Sequence, residues 1–271
     1  MSPNPSNKIP NFTAQQLQRL NDQELAALNG LLKAERYARI DAKCALLETD
    51  ENGWAKMTSG PLYWAQNFTR TENPHYVEQN VPFVAPFPKK SYFQPLLGAM
   101  MHTPRLFIPK SREMMTSWAT MVFAAHKAQW HKAEVIVQTE NEEKAKRLVY
   151  YAECLYRNQD PELKALHPLA GPASQLSIQW ADGGKIFGIP QGENKIRMFH
   201  PTLYIMDEAA FLPEAEQCFA ASHPVTRQII AISSAAPGWF ADECSDPGGY
   251  EPEPMQPPQQ YVTDHREVWQ L

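Results

Sequence analysis

Beyond Pro104 short apolar runs alternate with helical stretches, and that rhythm narrows the fold more than any other feature of the chain. Leu106-Phe107-Ile108, Val135-Ile136-Val137, Leu203-Tyr204-Ile205-Met206 and residues 228–232 read as strands. Between the first two lies a helix that carries Trp118, Met121, Val122 and Ala125 on one face, and residues 141–157 form a second helix. Residues 176–180 and 185–189 fit a hairpin turning at Asp182-Gly183-Gly184. Strands that are apolar at successive positions must be covered on both faces. The expected fold is therefore α/β, with a mainly parallel central sheet flanked by helices.

The flanks read differently. Over residues 13–48, Leu17, Leu20, Leu25, Leu28, Leu32, Tyr37 and Ile40 recur at helical spacing, with Thr13 and Asn21-Asp22 as candidate N-caps. Gly53 and Thr58-Ser59-Gly60 break that pattern, and Pro82, Pro86 and Pro88 disfavour both helix and central strand. Residues 242–260 are rich in Pro, Gly, Glu and Gln and bury little. Three regions are expected: a helical appendage over 1–58, an α/β domain over 59–240 and a flexible acidic tail over 241–271.

At 271 residues and 43% hydrophobic, the chain can build one substantial core. No apolar run approaches the roughly 20 residues that span a bilayer. Met1-Ser2-Pro3-Asn4-Pro5 lacks the basic start of a signal peptide, so a cytoplasmic, membrane-free setting is expected. Cys44, Cys154, Cys218 and Cys244 are scattered without a CxxC pair, and Cys218 with His223 is too few ligands for zinc. Net charge is −5, but beyond Pro201 Arg227 and Arg266 are the only Lys or Arg residues, so the earlier part is net positive. Lys89-Lys90 and the segment 144–147 permit DNA contact there, although such charges usually form a solvated face.

Two segments carry chemistry. The run Leu203–Met206 ends in Asp207-Glu208, which puts two carboxylates at the carboxyl edge of a buried strand, where open α/β sheets bind ligands. Asp207 would hold Mg2+, and Glu208 would orient and deprotonate a water. A solvated acidic turn is the plain alternative. The second segment follows the first strand: Lys110-Ser111-Arg112-Glu113-Met114-Met115-Thr116-Ser117, then a helix. Against the GxxxxGK[ST] phosphate loop, Lys110, Met115 and Thr116 stand where Gly, Gly and Lys are usual, and Ser117 alone fits. The order strand, polar turn, helix start is nonetheless that of an anion site. The alternative is an ordinary basic turn capped by Ser or Thr.

Taken with Trp118, this loop resembles that of phage terminase large subunits, in which the lysine opens the motif instead of closing it; Met115 replaces the usual Gly. Three further segments fall in the family's order over residues 60–240. Tyr92-Phe93-Gln94 is similar to the adenine-reading glutamine segment, Asp207-Glu208-Ala209-Ala210-Phe211 to the acidic motif, and residues 232–238, with Ser233 and Ser234, to the coupling motif.

The resemblance implies an additional-strand P-loop ATPase. ATP and Mg2+ would lie between Gln94, the loop of Lys110, Ser111, Arg112, Glu113, Met114, Met115, Thr116 and Ser117, and the acids, with Asp207 and Ser117 on the metal. Glu208 and Arg112 would be catalytic, Lys110 would bind nucleotide in cis, and Ser233 and Ser234 would face the γ-phosphate. It also implies a homo-oligomeric ring, a pentamer, that is monomeric in isolation. Its partners would be double-stranded DNA, a portal protein on the procapsid and a small terminase subunit, in the host cytoplasm and outside the mature virion. No nuclease is expected, because about thirty proline-rich residues follow Phe240. A helicase-like nucleic-acid-dependent ATPase and a degenerate, non-hydrolysing scaffold remain the rival readings.

Overall fold

The computed structural model describes residues 20–47, 60–73, 76–78, 80–245, 260–263 and 266–269. The chain opens with α1 (Asp22–Leu47), whose start is a capping box: Glu24 N–H donates to Asn21 Oδ1 (3.0 Å) and Asn21 N–H to Glu24 carboxylate (2.9 Å). The Thr13 cap and the breaks at Gly53 and Thr58-Ser59 lie outside the described residues. Next come α2 (Pro61–Phe68), the small β1 (Arg70–Glu72) and β2 (Val84–Pro86) ribbon, and α3 (Phe93–His102).

The α/β part then alternates as the apolar runs require. It consists of β3 (Arg105–Pro109), α4 (Thr116–His131), β4 (Glu134–Thr139), α5 (Glu142–Arg157) and α6 (Pro161–Leu166). The hairpin β5 (Ser177–Gln179) and β6 (Lys185–Pro190) follows, then α7 (Glu193–Ile196) and β7 (Leu203–Asp207). The last elements are α8 (Ala215–Ser222), β8 (Gln228–Ser233), α9 (Trp239–Cys244), β9 (Gln260–Thr263) and β10 (Arg266–Trp269).

Among the described residues one eight-stranded sheet runs in the order β5-β6-β4-β7-β8-β3-β10-β9, parallel throughout except for β5 and β9 at its edges. Successive side chains of a strand point to opposite faces, and the core divides accordingly. Leu106, Ile108, Val135, Val137, Leu203, Ile205, Ile230 and Ile232 face α2, α3, α4 and α5. Phe107, Ile136, Tyr204, Met206, Ile229 and Ala231 face α7, α8 and α9. Two covered faces explain why these strands lack a polar alternation.

Helix α4 buries the expected Trp118, Met121, Val122 and Ala125 and goes beyond them: 12 of its 16 residues are buried. It is enclosed by the sheet, α2, α3 and α5, so its small residues Ala119, Ala124, Ala125 and Ala128 all pack inward. The tail expectation over 241–271 is also corrected in part. Residues to Cys244 belong to α9, whose Phe240 is buried, and β10 pairs in parallel with β3 (Glu267 with Leu106, Val268 with Phe107). The physical reason is the outer edge of β3, whose unpaired backbone groups accept a further strand. The proline-rich residues 246–259 lie outside the described residues. Cys154, Cys218 and Cys244 are free thiols, and no described helix is long and apolar enough to cross a membrane.

The β5–β6 turn presses onto α4. A Cβ on Gly184 would stand 1.9 Å from the Ala128 carbonyl oxygen, whereas Gly30, inside α1, has open space around it. We predict that Gly184→Ala lowers folding stability by roughly 1–3 kcal/mol, the usual cost of overpacking. Gly30→Ala raises it by about 0.5–1 kcal/mol through helix propensity. Urea unfolding followed by circular dichroism checks both signs.

Candidate nucleotide-binding site

The site lies at the carboxyl edge of β7, β8 and β3. Lys110 N–H donates to the Ser233 carbonyl (2.9 Å), which carries the β3–β8 ladder one residue past the strand and fixes where the loop begins. Glu113 (φ 64°) and Met115 (φ 52°, ψ 24°) then take left-handed conformations, and α4 starts at Thr116. Met115 thus does stand where a glycine would be relaxed. A side chain there costs on the order of 1 kcal/mol. Two contacts hold the loop against that cost: Tyr92 Oη donates to the Met114 carbonyl (3.0 Å), and the Met115 side chain packs on the core. The first amides of α4 have no helical acceptor and no side-chain cap, so they remain available to an anion.

β7 ends in Asp207, buried, and Glu208 turns the chain through a further left-handed conformation (φ 54°, ψ 45°) into a short 3-10 turn, Ala209–Phe211. Ser117 Oγ donates to Asp207 Oδ1 (3.1 Å). Lys110 Nζ lies 2.8 Å from Glu208 Oε1, and the other carboxylate oxygen of Glu208 accepts from Ser234 Oγ (3.0 Å) and Ser234 N–H (3.3 Å). Ser233 Oγ reaches the same oxygen (3.4 Å) and accepts from Ala210 N–H (3.1 Å). The ends of β3, β7 and β8 therefore meet on one carboxylate.

The two acids titrate in opposite directions. Burial, and next the charge of Glu208, push Asp207 up to about 6, against the Ser117 hydrogen bond and the charges of Lys110 and Lys144. Burial would also raise Glu208, but the Lys110 ion pair and the Ser234 hydrogen bonds together hold it below its usual value. Asp207 is thus a buried carboxylate whose ionised form lacks a full counter-charge, and a hard cation would supply it. Among the described residues no cluster of three or more His, Cys, Asp or Glu converges to hold a metal. Asp207 and Ser117 fit Mg2+ in the manner of sites where phosphate oxygens and water complete the coordination.

These groups open onto a cleft of about 740 Å3, within the size range of ligand pockets. Lys110, Arg112, Glu113, Ser117, Asp207, Glu208 and Ser234 line it. Ser233 is buried beneath it, and Thr116 is buried at the helix start with its hydroxyl unpartnered. Ser111, Met114 and Met115 do not line it. Gln94 is not brought in. Phe93, Leu96, Leu97 and Met100 turn one face of α3 into the core, which leaves Gln94 exposed and outside this cleft. The far wall consists of Glu140, Lys144, Arg147, Leu148 and Tyr151, with Phe211 also lining the cleft; of these, Lys144 and Arg147 belong to the segment expected to form a solvated face or a DNA contact. The spacing 144, 147, 148, 151 marks one face of a helix, which is a signal legible before the structure. That this face meets the loop required the strand order.

No family model matches the sequence, and no curated protein matches it. Solved structures do. Those that match include phage large terminases and a phage DNA-packaging ATPase. The large terminase of bacteriophage HK97 superposes with a TM-score of 0.49 at 11% identity, covering 65% of this chain and 37% of that one. The ATPase domain of the Thermus phage P74-26 large terminase gives 0.45 at 13%, over 74% and 85%. The N-terminal domain of the bacteriophage phi29 DNA-packaging ATPase gives 0.45 at 14%, over 66% and 94%. The chain thus spans little more than a third of the HK97 protein. At these identities the likeness is one of fold.

The raised Asp207 carries a stability signature. A carboxyl whose folded pKa exceeds its unfolded value stabilises the protein at low pH, and that contribution is lost as pH rises from about 4 through about 6. In metal-free buffer Asp207→Asn should therefore gain stability relative to the parent as pH increases across this window, by on the order of 3 kcal/mol at most. Denaturant unfolding in chelator at pH 4.5 and 7.5 measures it, and a difference independent of pH would contradict the assignment.

Proposed function

We propose that this chain is the ATP-hydrolysing motor of a phage large terminase, driving double-stranded DNA into a procapsid. The observation that carries the reading is the Glu208 carboxylate, held between Lys110 of the loop after β3 and Ser234 after β8, beside the Ser117–Asp207 pair. β8 lies between the loop strand β3 and the acid strand β7, the insertion that defines additional-strand ATPases. Lys110 opens the loop, as in the terminase motif, and its ammonium is already at the acid centre.

The geometry supports a definite order of events. The phosphates of ATP compete with Glu208 for Lys110. As Lys110 turns to them, Glu208 loses its principal cation, its basicity rises, and it accepts a proton from the water that attacks the γ-phosphorus while the bond to the β–γ bridging oxygen breaks and ADP leaves. Base strength thereby follows occupancy. Mg2+ on Asp207 and Ser117 would neutralise phosphate charge. Arg112, exposed at the cleft and with no ion pair among the described residues, would meet the charge that develops on the transferred group. Ser234 would register the change at Glu208 and pass it to the segment that follows β8.

By the same proposal the chain works as a ring on a portal protein with a small terminase subunit, in the host cytoplasm. One observation favours the scaffold reading: Lys110 and Glu208 satisfy each other without nucleotide. Phosphate release by the purified protein separates the two. The motor gives release that is stimulated by duplex DNA, whereas a scaffold gives none with or without DNA.

Glu208→Gln should lower turnover by roughly 10²–10⁴-fold, the scale of general-base catalysis. ATP affinity should be retained or tightened, because Lys110 is released from its ion pair. Turnover by phosphate release and affinity by calorimetry test the pair of outcomes, and parental turnover in this variant would remove Glu208 from the chemistry.

A further inference from the structure

The far wall of the cleft does not enter the reading above. Its residues come from one face of α5, which starts from the end of β4. In the sheet, β4 neighbours β7, and β7 is separated from β3 by β8. A polyphosphate lying on the loop after β3, with its terminal group toward Asp207 and Glu208, has this face of α5 on its far side.

Half of the charged residues that line the cleft are in ion pairs. Lys110 is joined to Glu208 and Lys144 to Glu140. Arg147 has no acidic partner among the described residues. Its Nε–H donates to Tyr151 Oη (2.8 Å), and its guanidinium carbon sits 5.8 Å from the centre of the Tyr151 ring. Tyr151 is in turn stacked on Trp118, with ring centres 4.1 Å apart and planes 18° apart, and Trp118 belongs to the first turn and a half of α4. The orientation of Arg147 is therefore set by the helix that begins at the phosphate loop. One of its five N–H donors is used, and four remain for an anion. Trp118 covers one face of the Tyr151 ring, and Arg147 engages its hydroxyl.

Building on the ATPase reading, we propose that Arg147 binds the terminal phosphate of the bound nucleotide from within the same chain, and that Tyr151 positions it. Arg147 approaches from the α5 side, across the cleft from the phosphate loop that carries Arg112. A planar fork suits phosphate oxygens better than a lysine does. The terminal group of ATP is then enclosed by Lys110, the amides of α4 and Arg147.

The test compares binding of ADP and of the slowly hydrolysed analogue ATPγS, with Mg2+, to the parent, Arg147→Ala, Arg147→Lys and Tyr151→Phe, each checked for parental melting. Arg147→Ala should leave ADP affinity within about twofold and weaken ATPγS by roughly ten- to a hundredfold, the scale of a charge-assisted hydrogen bond. Arg147→Lys should recover part of the loss. Tyr151→Phe keeps the stack and removes the hydrogen bond, so it should lower kcat and ATPγS affinity without changing ADP affinity. Equal losses for ADP and ATPγS, or none, would overturn the role. So would reduced affinity for a labelled DNA duplex with nucleotide binding unchanged, which would assign Arg147 to DNA. If the parent binds ATPγS but releases no phosphate, the motor reading fails while Arg147 is still judged by its binding. If the parent hydrolyses ATP and Arg147→Ala matches it throughout, only the present inference fails.

Discussion

The Glu208 carboxylate is the junction on which the cleft depends. It lies where three parallel strands end, and each strand supplies one party: β7 the carboxylate itself, β3 the ammonium of Lys110, β8 the hydroxyl and amide of Ser234. Remove the acid, and a side chain only 8% exposed is left as an unpaired ammonium. Such a group is costly to bury alone. The same junction fixes the loop, because Lys110 is also its first residue and its amide is tied to Ser233.

Glu113, Met115 and Glu208 accept strained, left-handed backbone to make this arrangement. At two of them neighbouring structure over-determines the conformation: the Tyr92–Met114 hydrogen bond and core packing for Met115, the Lys110 and Ser234 contacts for Glu208. Strain held in place by several contacts is commonly found where a site must be preorganised.

Much of this was legible in the residues. Runs such as Leu203–Met206 announce a strand buried on both faces, and the sheet shows why: odd positions pack under α4 and α5, even ones against α8. The pairing of Ser117 with Asp207 follows from strand, loop, helix and acid in that order. Other elements were hidden. α2 and α6 each begin at a proline and are too short to show periodicity; Pro61 and Pro161 act as first-turn residues that need no N–H partner. β10 is masked by the proline and acid content around it, yet backbone pairing with the edge of β3 needs little from side chains. Lys144 and Arg147 read as a solvated face because no periodicity in one helix reveals which strand its start stands beside. Gln94 was assigned by order along the chain, and the helical turn that buries Phe93 sends it elsewhere.

The Tyr92–Met114 hydrogen bond has a mechanical meaning as well. Tyr92 immediately precedes α3, which feeds β3, which ends at the loop containing Met114, so this contact closes a circuit between residues 22 positions apart. Within the circuit β3 is clamped between β8 and β10, whereas α3 is held by side-chain packing and, near its end, by the Gln228 side-chain amide of β8, which donates to the Met100 and Thr103 carbonyls. A sideways load on α3 is therefore shared between its two ends: the C-terminal end passes it into β8 through Gln228, and the N-terminal end passes it through the Tyr92 phenol into the loop after β3. The loop is linked by a lever to the outer helices of the domain, and the lever turns on a strand paired along both edges.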